Sequence, residues 1–134
     1  MSGQRADSYA RARAAFAVTH MSDTKWRKGF TAIATTELGL TRAEWKFIDA
    51  DRVYDWGIPA PADLGPDRLA DGRFQPVEYK WIEWLRFLRR PHPAAGAAPR
   101  AEQDLAGLLR VLRAVGQLQL AYDEDGLTMF GYSR

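Results

Sequence analysis

Cysteine is absent from the 134-residue sequence, which excludes disulfide bonds, thiolate catalysis and cysteine-based metal sites. Long apolar runs are absent as well. No run approaches the roughly 20 apolar residues that cross a bilayer, and none has the form of a signal-peptide core. These absences favour a cytoplasmic protein without a membrane partner.

Histidine and serine are scarce. The two histidines are His20 and His92, the second of which lies between two prolines, and the four serines lie outside any predicted nucleophile elbow. The glycines form neither a phosphate-binding loop nor a dinucleotide fingerprint. We therefore expect no enzyme and no cofactor. A small hydrolase remains an alternative, because carboxylate pairs are available; these are Glu78 with Glu83 and Asp49 with Asp55.

Charge is unevenly distributed although its total is only +2. Residues 1–20 carry three arginines and one acid, whereas residues 44–83 carry nine acids and five bases. The basic balance thus comes from the N-terminal segment, and the rest of the sequence lacks the clustered Lys and Arg of a nucleic-acid footprint. We expect no nucleic-acid partner, with a nucleic-acid-binding domain as a minor alternative.

Three acids, Asp49, Asp51 and Asp55, have a spacing that suits a hard cation. A calcium-binding loop would also require a glycine at its sharp turn and a bidentate glutamate further on, and neither is in place. We therefore predict no metal site. These acids are typical of turns and solvated surface, with an acidic contact surface as the functional alternative.

The most distinctive stretch is residues 77–87, which holds four aromatic and three aliphatic side chains. As a strand it places Tyr79, Trp81, Leu85 and Phe87 on one face, and Ile82 and Trp84 among charged residues on the other. A helical interpretation also groups apolar residues, but the aromatic content and alternating charge favour a strand. We expect the central strand of a sheet.

The remaining elements follow from periodicity and caps. A helix is predicted over residues 25–38, capped by Ser22, Asp23 or Thr24 and ended by Gly39, and a second over residues 101–115, ended by Gly116. A strand is predicted over residues 44–48, loop over 57–76, a linker over 91–99, and a hairpin around 123–126. Its Leu118, Leu120 and Tyr122 would face Leu127 and Met129.

The fold class predicted is a single α+β domain over residues 21–134, with element order α-β-β-α-β-β. Its four-stranded, mostly antiparallel sheet carries both helices on one face. The predicted core comprises Trp26, Phe30, Ile33, Leu105, Leu108, Leu112, Leu120 and Met129.

Residues 1–20 allow two interpretations. Alanine and arginine favour a short helix, but the capping cluster after Met21 favours an N-terminal extension without a place in the fold. We therefore predict that residues 1–20 form an N-terminal extension that is disordered or loosely helical.

Three segments carry a family resemblance: Thr24-Lys25-Trp26 opening a helix, Ile82-Glu83-Trp84 in a strand, and Phe130-Gly131-Tyr132 at the end. Together they resemble a family of small uncharacterised bacterial proteins. Proteins of this size and layout are similar to immunity proteins of toxin systems. The resemblance implies a non-enzymatic binding protein that sequesters a cognate toxin by occlusion, and no catalytic or cofactor residues.

The expected contact surface is acidic and loop-bearing, with tryptophans as anchors. Its residues are Trp84, Ile82, Trp56, Asp49, Asp51 and Asp55. The alternative function is a housekeeping interaction or regulatory module, including a homodimer that pairs through an exposed sheet edge or face.

Overall fold

The computed structural model describes residues 2–70, 76–93, 96, 98 and 101–134, and only the backbone of residues 2–6. In this part of the chain the helices are α1 (Ser2–Arg13), α2 (Asp23–Thr35) and α3 (Leu105–Val115). The strands are β1 (Val18–Thr19), β2 (Arg42–Phe47), β3 (Val53–Gly57), β4 (Arg68–Leu69), β5 (Val77–Glu78), β6 (Ile82–Leu88), β7 (Leu120–Tyr122), β8 (Gly126–Phe130) and β9 (Tyr132–Ser133). No helix in the described residues has the length and apolarity to span a membrane.

The main sheet has five antiparallel strands in the order β3-β2-β6-β8-β7. The α+β class is confirmed, but the predicted sheet of four strands is wrong because β3 adds a fifth. This strand forms a hairpin with β2, in which Trp45 pairs with Tyr54 and Glu44 with Asp55. Strand β3 lies at the edge of the sheet, with one neighbouring strand and one packed face. Its sequence therefore contains only a short pattern of apolar residues, which does not identify it as a strand.

Helices α2 and α3 pack together on one side of the sheet, which we call the core face. Phe30 stacks between Trp26 and Trp45 at centroid distances of 5.6 and 5.5 Å, which joins α2 to β2. Seven of the eight predicted core side chains are buried, and Leu120 is partly buried. The helical periodicity therefore identified the core correctly.

Side chains cap the N-termini of α2 and α3, as the sequence predicted for α2. The Ser22 hydroxyl accepts a hydrogen bond from the Lys25 N–H at 3.1 Å, and Asp104 accepts one from Gly107 at 2.9 Å. Helix α3 begins four residues later than predicted, because Asp104 is the N-cap. Gly39 has a φ of 69°, the left-handed conformation expected of it, although α2 already ends at Thr35.

The stretch 77–87 is a strand only in part. Val77–Glu78 pairs with β4, Tyr79–Trp81 forms a 3₁₀ turn, and β6 begins at Ile82. The pairing of β2 with β6 shifts, since Lys46 lies opposite Trp84 but Phe47 lies opposite Ile82. Glu83 is the extra residue of this bulge, and it turns Ile82 towards the core face.

The predicted loop over residues 57–76 contains a 3₁₀ turn (Pro61–Asp63) and the small β4–β5 ladder; its residues 71–75 lie outside the described part. The predicted linker over residues 91–99 is described only in part. After it, buried Gln103 joins two strands, because its amide donates to Leu88 O at 2.7 Å and accepts from the Thr41 N–H at 3.0 Å.

Residues 7–20 contact the body of the protein, whereas the sequence favoured an extension without a place in the fold. Phe16 is buried against Ile48 and Tyr132. Strand β1 pairs with β9, and the Tyr9 ring meets the Trp81 ring edge-on at 5.4 Å. These contacts join the two ends of the chain to the sheet.

Candidate functional site

The side of the main sheet away from α2 and α3 forms a polar surface with an aromatic centre. Its positions follow from the strand register: Lys46, Trp84 and Phe130 lie side by side across three strands, and Glu44 and Arg86 occupy the next row. We call this surface the outer face. Trp84 and Phe130 are both partly exposed, and cross-strand aromatic neighbours of this kind form a continuous apolar patch.

Fixed charges flank Trp84 on both sides. The Lys46 ammonium lies 3.0 Å from the Glu83 carboxylate, and both side chains are only 17% exposed. The Arg86 guanidinium donates to the Thr128 hydroxyl at 2.9 Å and lies 3.3 Å from Asp123. These contacts hold the cations beside Trp84 in place.

The three predicted acids lie at different places. Asp49 and Asp51 are exposed in the turn between β2 and β3. Asp55 lies on the outer face, where its carboxylate is 3.1 Å from Arg42, whose guanidinium also donates to the Asp55 carbonyl at 2.6 Å. No three His, Asp or Glu side chains converge as metal ligands in the part of the chain that the structure describes.

Two of the predicted anchors do not lie on the outer face. Ile82 is 0% exposed and belongs to the core, so its expected place beside Trp84 is wrong; the bulge at Glu83 is the reason. Trp56 lies on the core side of β3, where its ring contacts Tyr54 and Trp45 at centroid distances of 4.7 and 5.8 Å. It remains partly exposed at the sheet edge. Trp84 is therefore the one predicted anchor at the centre of the outer face.

Three of the four carboxylates of the hydrolase alternative are engaged in ion pairs. Glu83 is held by Lys46, Asp55 by Arg42, and Glu78 lies 3.8 Å from the Lys80 ammonium. These three carboxylates therefore have cationic partners among the described residues.

One pair of side chains was not predicted. The His20 Nε2 and Ser133 Oγ atoms lie 2.8 Å apart, a distance typical of a general base and its nucleophile. Strand pairing of β1 with β9 brings them together across 113 positions, and no local signal in the sequence reveals it. No carboxylate of the described residues hydrogen-bonds to His20 to orient it, so the pair lacks the third member of a triad.

Comparison with known proteins gives no relatives: no protein-family model, no curated protein and no solved structure matches this chain.

Proposed function

We propose that this protein is a non-enzymatic, cytoplasmic binding protein, an immunity protein that sequesters a cognate bacterial toxin by occlusion. The observation that carries the proposal is the Trp84–Phe130 pair, two partly exposed aromatic rings at the centre of a sheet face that α2 and α3 leave open. Neither a membrane nor a nucleic acid takes part in this mechanism.

The composition of the outer face supports a protein partner. Interfaces concentrate their binding energy in a few central aromatic or arginine side chains, surrounded by polar contacts that exclude water. Here Trp84 and Phe130 supply the centre, and the Lys46–Glu83 and Arg86–Asp123 pairs supply the rim. A flat sheet face occludes a partner's site by covering it, without a cleft of its own.

The turn with Asp49 and Asp51 follows the end of β2, and we assign it to the same contact surface. Both carboxylates are exposed, so they attract a basic partner over distances of about one Debye length, roughly 8 Å at physiological salt. In this proposal the turn increases the association rate, and the aromatic pair determines how slowly the complex dissociates.

The test is co-expression with the product of the neighbouring gene, followed by co-purification and titration of the pair. We expect the protein to relieve the toxicity of that product. Trp84→Ala should weaken binding by about 30-fold, which corresponds to about 2 kcal/mol. The matched control is Tyr122→Ala, which removes an exposed aromatic side chain on edge strand β7, opposite Leu127 of the core. Toxicity that persists during co-expression would refute the immunity function, and equal affinities of the two variants would refute the site.

A regulatory module that forms a homodimer is the second candidate. Among the described residues, two of the three exposed large apolar side chains, Val53 and Tyr122, lie on the edge strands β3 and β7. Edge strands have unpaired backbone groups that pair readily with a second copy. Sedimentation equilibrium distinguishes the candidates, because a dimer that Val53→Lys dissociates supports this second function.

A further inference from the structure

The solvent side of α2 and α3 is strongly basic, a feature that the sequence segments taken one by one do not reveal. We call it the helix face. The two helices carry five cations and one acid, Asp23, a net charge of +4 in a protein whose total is +2. The cations are Lys25, Arg27, Lys28, Arg110 and Arg113. The rest of the chain is therefore net acidic, so charge is segregated between the helix face and its surroundings.

The helix-face cations differ from those of the sheet in their partners. On the outer face, Arg42, Lys46 and Arg86 each form an ion pair with a carboxylate. Among the described residues, none of the helix-face cations does so, and the hydrogen bond from Lys25 to Gln117 O is long, at 3.4 Å. Cations that lie close together repel each other, and an anionic partner reduces that repulsion.

The two helices are antiparallel. Lys25 near the start of α2 reaches Gln117 beyond the end of α3. At the other end, Leu38 lies against Gly107. A groove of about 490 Å³ runs between them, lined by Arg27, Lys28, Thr31, Ala32 and Val115.

The groove combines an apolar floor with a cationic rim. Ala32 and Val115 are partly exposed within it, while the Arg27 and Lys28 side chains border it. Arg110 and Arg113 are exposed on α3 but do not line the groove, so its cationic rim belongs to α2. An amphipathic helix with an apolar stripe and flanking carboxylates matches this arrangement, because its stripe covers the floor and its acids meet the rim.

We infer that the helix face binds an acidic, amphipathic helical segment of a protein partner. A nucleic-acid backbone satisfies the cations but provides no apolar group for the floor, and the aromatic rings of α2, Trp26 and Phe30, are buried and unable to stack on bases. A lipid surface requires exposed apolar anchors. The exposed large apolar side chains of the described residues, Val18, Val53 and Tyr122, lie outside these helices.

The inference goes beyond the proposed function and does not depend on it, since the helix face and the outer face lie on opposite sides of the sheet. The probe is a fluorescent synthetic peptide of about 18 residues with leucines at helical spacing and glutamates beside them, titrated against the full-length protein by polarisation. We expect saturable binding that weakens with added salt.

The double variant Arg27→Glu, Lys28→Glu should bind this peptide at least about tenfold more weakly. The matched control is Arg11→Glu, Arg52→Glu, which changes the same charge at exposed positions away from the helix face and should stay within about twofold. Circular dichroism checks that both variants are folded. Equal effects of the two double variants would overturn the inference, because they would reveal attraction by net charge alone.

Further binding measurements distinguish an acidic protein segment from other ligands of the helix face. A peptide of the same composition but scrambled order should bind about tenfold more weakly; equal binding would show that the apolar floor has no role and overturn the proposal. A DNA duplex of about 20 base pairs and vesicles containing phosphatidylserine are measured at the same salt. Tighter binding of either than of the amphipathic peptide would overturn the assignment to an acidic protein segment.

Discussion

The phenolic oxygens of Tyr9 and Tyr132 lie 2.7 Å apart although the two residues are separated by 123 positions. Tyr132 donates its only hydroxyl proton to Lys80 O at 2.6 Å, so Tyr9 is the donor between the two tyrosines. Burial raises the pKa of Tyr132 well above its ordinary value of 10. A neutral chain of two hydroxyls thus fastens α1 to the C-terminal strand.

Removal of residues 1–20 should destabilise the protein, contrary to the sequence-based expectation that a chain starting at Met21 folds equally well. The truncation exposes the surface that Phe16 covers and removes the β1–β9 pairing, at a cost of about 2 to 4 kcal/mol. We expect thermal denaturation to show a Tm lower by roughly 8 to 16 °C. Phe16→Ala should account for much of this loss, while exposed Arg11→Ala should not. A truncated protein that melts within about 2 °C of the full chain would contradict the packing of this segment.

Because of the bulge at Glu83, truncation of Ile82 should destabilise the protein more than truncation of Trp84, although tryptophan is the larger side chain. Ile82→Ala should cost about 2 to 4 kcal/mol because it empties a buried site. Trp84→Ala, at a partly exposed position, should cost about 1 kcal/mol despite the larger side chain removed. Denaturant unfolding measures both. A regular strand would place both side chains on the outer face, so similar small losses would contradict the bulge.

The backbone at Gly131 lies very close to the backbone of Ile82 and Glu83, and a substitution of Gly131 tests this contact. A Cβ atom at this position would lie 2.3 Å from Ile82 O, and the Gly131 N–H donates to Glu83 O at 2.7 Å, so neither backbone can move away cheaply. Gly131→Ala should therefore cost about 3 kcal/mol or more. Gly39→Ala is the control: its φ of 69° disfavours alanine, but its Cβ has open space, and we expect a loss of about 1 kcal/mol in the free energy of unfolding. Equal losses would contradict this geometry.

Asp123 should make stability depend on acid pH. Hydrogen bonds from the Asp125 and Gly126 N–H groups, and then the Arg86 guanidinium, lower the pKa of Asp123 below its ordinary value of 3.8. A lowered pKa contributes stability above pH 3.8 that is lost as pH falls through the folded-state value. Asp123→Asn should therefore lower Tm by a few degrees at pH 7, and the difference should close in strong acid.

The control for this effect is Glu124→Gln, which neutralises the adjacent exposed turn carboxylate. Its melting curve should follow that of the unchanged protein across the same pH range. A difference for Asp123→Asn that persists unchanged at the acid end would show that the charge of Asp123 is not its cause.

Local patterns in the sequence determined the elements that depend on neighbouring residues. The periodicity of Leu105, Leu108 and Leu112 placed α3 against the core, and the capping chemistry of Ser22 set the start of α2. The hairpin was predicted correctly for the same reason, with Leu120 opposite Met129 and Tyr122 opposite Leu127. These patterns involve residues only a few positions apart, so they can be recognised without knowledge of the tertiary structure.

The candidate site was predictable only in part. The alternation of β6 placed Trp84 on the outer face, but the same alternation placed Ile82 there wrongly, because a bulge depends on how two strands pair. Phe130 became part of the site through its register with Trp84, a relation between strands 46 positions apart in the sequence. Register across such distances has no local signature.

The sequence by itself therefore determined α2, α3, most of the core and an α+β class, since each depends on periodicity or capping within about one or two turns of chain. The tertiary structure alone decided that β3 joins the sheet and that Tyr9 reaches Tyr132. Each of these depends on the free energy of long-range packing, which no short segment encodes.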